Sequence, residues 1–116
     1  MVAYSKYVPK QGDIIDIDFT PQAGHEQGGR RPAIVVSNSV YNQMTSFIIV
    51  CPISNSDNNF PLHIPLSGNL KTKGFALCEH MKSFDFVKRN AVFRETAPSD
   101  LLIKINSVLS GYFIVA

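Results

Sequence analysis

The apolar residues of this chain come in short runs separated by polar turns, and only the last run has helical spacing. Alternation or a high content of β-branched and aromatic residues predicts strands in residues 15–19, 33–36, 47–53, 62–66, 75–81 and 90–94. From Ser99 onward, apolar residues recur three and four positions apart, which predicts an amphipathic helix. They are Leu101, Leu102, Ile105, Val108, Leu109, Tyr112 and Phe113. The order predicts a mainly β protein with helices: a small, strongly bent antiparallel sheet or β-barrel closed by a C-terminal amphipathic helix.

Polar residues within and between these runs add local predictions. Asp16 and Asp18 alternate with apolar residues and therefore share one wet face of the first strand. Pro65 cannot donate to a ladder, which favours an edge strand. A short helical turn through Met44 is predicted to begin at a cap formed by Asn38 or Ser39.

Composition limits the class of protein. A chain of 116 residues predicts a single domain, residues 1–116, and 45% hydrophobic with 17% charged residues is typical of a globular protein. The net charge of +2 gives no overall field for a polyanion, so any basic surface must be local. Cys51 and Cys78 lie in apolar runs without metal-ligand spacing, which predicts reduced core thiols and a cytoplasmic location. No apolar stretch has the length of a signal peptide or membrane helix, so we expect neither export nor membrane insertion.

The stretch from Thr20 to Arg30 predicts a long, flexible loop that opens directly onto a buried strand. It contains one proline and three glycines without hydrophobic periodicity, and loops of this length are commonly functional or disordered. His25-Glu26 does not complete a zinc-protease motif, because Gly29 stands where the second histidine is required. A phosphate-binding P-loop is also excluded, since Arg31-Pro32 replaces the required Lys and Ser or Thr.

The remaining chemistry of this loop is the pair Glu26 and Arg31. A carboxylate can take a proton, and a guanidinium can hold a phosphate in a bidentate manner, so the pair suits phosphoryl chemistry. RNA is an especially suitable substrate, because its 2′-hydroxyl already lies beside the scissile phosphate. The alternative is an ordinary surface ion pair on a flexible loop.

At these residues the sequence resembles the MazF/PemK (Kid) family of toxin endoribonucleases from bacterial toxin–antitoxin systems. The most specific part is the segment Glu-Gln-x-Gly-x-Arg-Pro, residues 26–32. The other matching segments are Tyr7-Val8-Pro9, Gly12-Asp13, Asp18-Phe19, Pro21, Gly24, Val35, Ser37, Asn42, Pro52-Ile53-Ser54, Leu66-Ser67-Gly68, Leu77, Glu79, Met81-Lys82-Ser83 and the closing helix. The resemblance thus covers nearly the whole chain.

The resemblance implies a fold, a reaction and a set of site residues. The fold is an SH3-like small β-barrel of the CcdB/MazF type, and the activity is sequence-specific cleavage of single-stranded RNA without metal or cofactor, leaving 2′,3′-cyclic phosphate and 5′-hydroxyl ends. Arg31 is implied to contact the phosphate, Glu26 to act as acid/base or loop-positioning group, and Ser54 to hydrogen-bond a phosphorane oxygen. The residues expected to bind RNA are His25, Gln27, Asn42, Asn55, Glu79, His80, Lys82 and Ser83. His25 could share the proton transfer, and His80 stands where relatives often have Gln, so the base preference can differ.

The implied partners are messenger RNA, a second copy of the chain and a MazE-like antitoxin with an acidic, disordered tail. Operator DNA is expected only through the antitoxin complex, and no membrane partner is expected. Two alternatives stay open. A CcdB-like toxin would share the barrel and bind gyrase without cutting RNA, whereas an RNA-binding barrel without nuclease activity would tolerate loss of Arg31.

Overall fold

The computed structural model describes residues 7–19, 29–56 and 59–116. Their regular elements, in chain order, are β1 (Asp13–Asp18), β2 (Arg30–Val35), α1 (Ser39–Thr45), β3 (Phe47–Ser54), β4 (His63–Pro65), β5 (Phe75–Leu77), a 3₁₀ turn (Cys78–His80), β6 (Lys82–Asp85), β7 (Val92–Thr96) and α2 (Ser99–Gly111). The predicted mainly β architecture with a C-terminal helix is confirmed.

Strand β3 is the centre of one antiparallel sheet and changes partners along its length. The path is β4-β5-β3-β2-β1-β7, and β6 pairs with β3 as well. The first half of β3 pairs with β6, from Phe47 with Asp85 to Val50 with Lys82, whereas its last two residues pair with β5. Strand β3 thus pairs first with β6 and then with β5 along its length. Within the described residues no ladder joins β7 to β4 or β6, so the sheet is open, and α2 packs on one of its faces.

Two apolar clusters lie on opposite faces of β1, β2 and β3, because side chains alternate across a strand. One cluster contains Ile14, Ile34 and Cys51 and is covered by the stripe Leu101, Ile105 and Leu109 of α2. The other is formed by Ile15, Ile17, Phe19, Ala33, Val35, Ile48, Val50, Phe84 and Phe86. The three central strands are therefore buried on both faces over most of their length. Only at Asp16 and Asp18 does β1 keep the wet face that its sequence predicts.

Most elements lie where the sequence predicts them, although β1, β2 and β7 are shifted or extended by up to three residues. Asn38 caps α1, accepting a hydrogen bond from the Tyr41 backbone N–H at 2.8 Å, and Pro65 lies in the edge strand β4, both as predicted. The single strand predicted over 75–81 is wrong: it ends at Leu77 in a 3₁₀ turn, and β6 then begins at Lys82. Helix α2 ends at Gly111, so the last two residues of the predicted apolar stripe lie beyond it.

The two cysteines are buried in the first apolar cluster, as predicted. Cys51 lies on β3, and Cys78 begins the 3₁₀ turn that follows β5. The neighbouring Cys78 thiol and burial raise the pKa of the Cys51 thiol, and a buried thiol with a raised pKa is a poor nucleophile. The Cys78 thiol donates to the Ala76 carbonyl at 3.9 Å within the same cluster.

Candidate functional site

The register between β2 and β3 brings Arg31 and Ser54 together. Ala33 pairs with Pro52 in this antiparallel ladder. Arg31 precedes Ala33 by two residues and Ser54 follows Pro52 by two, so both side chains lie on the same face at this end of the two strands. Both line one open depression of about 370 Å³ at this end of the two strands. The two strand ends thus bring together a guanidinium and a hydroxyl that are far apart in sequence.

The depression is basic and offers hydrogen-bond donors. The residues lining it are Arg30, Arg31, Pro32, Ile53, Ser54, Asn55, Ser56 and Lys73. Three of these described lining residues are cationic and none is a carboxylate. The Ser54 hydroxyl oxygen accepts a hydrogen bond from the Ser56 backbone N–H at 3.1 Å. Its own hydrogen can therefore be donated to an oxygen of a bound group. Cations and a hydroxyl donor around a small open volume suit a phosphodiester.

Gly74 supports the Ser54 side of the depression. Its φ of +122° is rare for residues with a side chain, and a Cβ there would lie 2.4 Å from the Ser54 carbonyl oxygen. The loop containing Gly74 is fixed to β7, because the Lys71 and Thr72 backbone N–H groups and the Thr72 hydroxyl all donate to the Glu95 carboxylate at 2.6–3.0 Å. The close approach of Gly74 thus holds the end of β3 in place and brings Lys73 to the depression.

The structure places the predicted RNA-binding residues in different regions. Asn55 is exposed and lines the depression next to Ser54. Lys82 and Ser83 are paired with Val50 and Ile49, and Val50 lies about 13 Å from Ser54 at roughly 3.3 Å per strand residue. His25, Glu26 and Gln27 lie outside the described residues.

Glu79 and His80 lie on the 3₁₀ turn after β5, and neither lines the depression. The Glu79 carboxylate lies 2.6 Å from His63 Nε2 and 3.5 Å from His80 Nε2. The His63 side chain is nearly buried, whereas that of His80 is 57% exposed. Glu79 is therefore engaged within its own chain, and His80 is the more accessible of the two predicted RNA contacts.

The structure does not support RNA binding by Asn42, because its side chain is fully buried. The Asn42 amide donates to the Pro9 carbonyl at 2.8 Å and the Ser37 carbonyl at 3.3 Å, and its oxygen accepts from the Ser37 hydroxyl at 2.5 Å. Asn42 thus links α1 to Pro9 and to the residues that follow β2. Its side-chain nitrogen and oxygen are both engaged in these hydrogen bonds and are buried, so they do not reach a nucleotide base. Asn42 therefore has a structural role. Local spacing in the sequence could not reveal this role, because the hydrogen-bond partners of Asn42 come from other segments of the chain.

We expect Asn42→Ala to lower the free energy of unfolding by about 2 kcal/mol, since it removes the partners of buried polar groups. Urea denaturation followed by circular dichroism measures the change. Gln43→Ala is the matched control, because Gln43 is exposed on the same helix. Equal stability of the two variants would contradict the structural role of Asn42.

Sequence reasoning did not single out Arg30 for the site and treated Lys73 as one of several scattered surface charges. Both line the depression. Arg30 stands directly before Arg31 in the motif, so its position in the sequence could have indicated a place at the site. Lys73 reaches the site only through the turn at Gly74, which has no counterpart in the hydrophobic pattern.

The antiparallel sheet, its covering helix and the basic depression define a small, mainly β protein with a site suited to a phosphate-bearing ligand. In the ranges that the structure describes, no helix is long and apolar enough to cross a membrane.

Comparison with known proteins agrees with this description. Residues 10–113 match the family described as PemK-like, MazF-like toxin of type II toxin–antitoxin systems. The endoribonuclease toxin MazF of Escherichia coli K12 is 38% identical over 109 residues, which cover 90% of this chain and 97% of that protein. The crystal structure of MazF from Deinococcus radiodurans has a TM-score of 0.84 and 38% identity, covering 92% of this chain and 97% of its own. A MazE–MazF structure from the same organism has a TM-score of 0.83 at 38% identity and covers 92% and 96%.

This chain belongs to the PemK-like, MazF-like family of type II toxins. Its fold is that of the MazF structures, as the resemblance implied.

Proposed function

We propose that this toxin is an endoribonuclease that cuts single-stranded RNA in the depression formed by Arg31 and Ser54. The observation that carries the proposal is the convergence of these two side chains, with Asn55 and Lys73, on one basic depression. The curated relatives named MazF and PemK are endoribonucleases. The CcdB-like alternative, a gyrase-binding toxin without nuclease activity, is not favoured because a gyrase-binding surface requires no such pair.

The chemistry is an internal displacement at phosphorus. The ribose 2′-oxygen attacks the adjacent phosphorus while the 5′-oxygen of the next nucleotide leaves, which forms a 2′,3′-cyclic phosphate and a 5′-hydroxyl. A base takes the 2′-hydroxyl proton, an acid protonates the leaving oxygen, and no water is consumed. Because the nucleophile belongs to the substrate, the reaction requires no metal-activated water.

Arg31 stabilises the charge that develops on the non-bridging oxygens, and the Ser54 hydroxyl donates to one of them. A guanidinium is always charged, so we assign Arg31 an electrostatic role before a proton-transfer role. Glu26 is the acid/base candidate that the family resemblance supplies, with His25 as a possible second group. Asn55, Lys82, Ser83 and His80 are candidate contacts to further nucleotides.

The toxin acts as a homodimer in the cytoplasm and is inhibited by a MazE-like antitoxin. Solved MazE–MazF complexes of relatives similar to this chain support the antitoxin partner. The buried free thiols are compatible with a reducing compartment. We propose that operator DNA is bound only through the antitoxin complex and that cleavage is restricted to a short base sequence.

The reaction is tested with two forms of one long single-stranded RNA, unmodified and 2′-O-methylated throughout, each in EDTA. We expect cleavage of the unmodified RNA only, because methylation removes the nucleophile. The downstream fragments should accept labelled phosphate from polynucleotide kinase without prior phosphatase treatment, as free 5′-hydroxyl ends do. Equal cleavage of both RNAs, or loss of all cleavage in EDTA with recovery on added Mg²⁺, would overturn the proposed mechanism.

A further inference from the structure

Asp18, at the end of β1, is the centre of a closed ring of hydrogen bonds. Its Oδ1 accepts from Arg30 Nη1 at 3.0 Å, and its Oδ2 accepts from Asn90 Nδ2 at 2.8 Å. The ring is closed by Arg30 Nη2, which donates to the Asn90 carbonyl at 2.6 Å. Three segments are thus joined at one point: the end of β1, the start of β2 and the turn between β6 and β7.

Backbone hydrogen bonds hold the same three segments. The Asp18 N–H donates to the Arg89 carbonyl at 2.9 Å, and the Phe19 N–H donates to the Gly29 carbonyl at 3.0 Å. Asn90 has a φ of 56°, a left-handed conformation that asparagine adopts more readily than most residues. The junction is therefore formed by side chains and main chain together.

The start of β2 requires such support because of Pro32. Pro32 is paired with Asp16 in the ladder with β1, yet proline has no N–H to donate. Pro32 and Asp16 form a non-hydrogen-bonded pair of that ladder, so the missing N–H falls on the side of β3, where the ladder with β2 ends at Ala33 and Pro52. Next to Arg31, which is paired with Ile17, the start of β2 is therefore held from the side of β1. Arg30, which is paired with Asp18, lies on the opposite face of the strand from Arg31.

We propose that Asp18, Arg30 and Asn90 form a positioning clamp that fixes the start of β2 and thereby the direction of the Arg31 side chain. The inference rests on the proposed function, and it adds residues that act through Arg31 without contacting the reacting atoms. Asp18 and Asn90 do not line the depression, whereas Arg30 does.

The clamp is expected to matter for rate more than for stability. The Arg30 and Asp18 side chains are 38% and 29% exposed, and ion pairs of this exposure contribute little to folding stability. Displacement of a catalytic group by about 1 Å, in contrast, can lower a rate by roughly two orders of magnitude. Hydrogen bonds from Asn90 and Arg30 lower the pKa of Asp18. The pKa of Asp18 is thus lower in the folded than in the unfolded protein. The stabilisation that its carboxylate gives is therefore complete above the ordinary aspartate pKa and is lost as the pH falls through the lowered pKa.

The test compares Asp18→Asn with Asp16→Asn. Asp16 is a matched control because it lies on the same face of β1 with similar exposure and, among the residues that the structure describes, forms its ion pair with Arg94 at 3.4 Å. Asp18→Asn replaces an acceptor facing the Asn90 amide by a second donor. We expect kcat for RNA cleavage to fall about tenfold, with KM within about twofold and the melting temperature close to that of Asp16→Asn.

Two further variants separate positioning from folding. Asn90→Gly keeps the left-handed backbone and removes the amide, so it should lower kcat in the same way. The double variant Asp18→Asn/Asn90→Asp exchanges the two side chains. It again places an amide donor opposite a carboxylate acceptor, so it should recover most of kcat.

Each outcome decides between the two proposals. Equal kcat for Asp18→Asn and Asp16→Asn, or a loss of kcat that the exchange does not recover, would refute the clamp. Absence of cleavage by the unaltered protein would refute the proposed function instead.

Discussion

Arg31→Ala loses about 10³-fold in the rate of RNA cleavage, the largest effect we expect of any substitution in this protein. The variant removes the cation that lies beside Ser54 in the depression, and with it the stabilisation of charge at phosphorus. Arg31→Lys should recover only a small part of the rate, because an ammonium group does not reproduce the bidentate geometry of a guanidinium. Single-turnover cleavage of a labelled single-stranded RNA measures both variants.

Arg94→Ala is the control for loss of positive charge. Arg94 is exposed, pairs with Asp16 at 3.4 Å and does not line the depression. Arg94→Ala should leave the cleavage rate within about twofold, since a scattered surface charge contributes only to the long-range attraction between protein and RNA. Cleavage by Arg31→Ala at the unaltered rate would show that the reaction occurs at a different site or comes from a contaminating nuclease.

Gly74→Ala should lower the free energy of unfolding by about 3 kcal/mol, because it combines a strained φ with a backbone clash. The new Cβ would lie 2.4 Å from the Ser54 carbonyl oxygen, a distance that only a movement of the chain can relieve. That movement displaces the end of β3, so cleavage should fall about tenfold or more even at temperatures where the variant is folded. Thermal denaturation and cleavage assays well below the transition report the two effects separately.

Gly68→Ala is the matched control, because Gly68 lies in the same loop and a Cβ there has no heavy atom within 4 Å. It should change stability by less than about 0.5 kcal/mol, as surface substitutions usually do. The role of Gly74 would be refuted if both alanine variants melted at the same temperature and cut RNA equally fast.

The fold could be predicted from the sequence where periodicity is local. The alternation in β1 and the apolar stripe of α2 are visible without tertiary information. Strand β6 was missed because Lys82-Ser83-Phe84-Asp85 contains a single apolar residue, and its burial depends on pairing with β3. The change of partners along β3 was not predicted for a related reason, since it depends on pairing with two segments that are distant in sequence.

The candidate site was predicted in part. Arg31 and Ser54 were predicted from the family resemblance, and both line the depression, but their convergence depends on the pairing of β2 with β3, which local spacing does not contain. Asn42 was predicted to bind RNA and is instead a buried link, because its partners Pro9 and Ser37 come from other segments. The roles of Glu26, His25 and Gln27 stay predictions.

The burial of β2 between two apolar clusters has a consequence for the lifetime of the site. A strand covered on both faces exposes its amides only when the whole molecule opens, so its protons should be among the last to exchange with deuterium. The covered part of β2 is Ala33, Ile34 and Val35, and Arg31 stands two residues before it on the half-buried end of the strand. Mild heating or dilute denaturant should therefore release the end that carries Arg31 before the amides of the covered part begin to exchange.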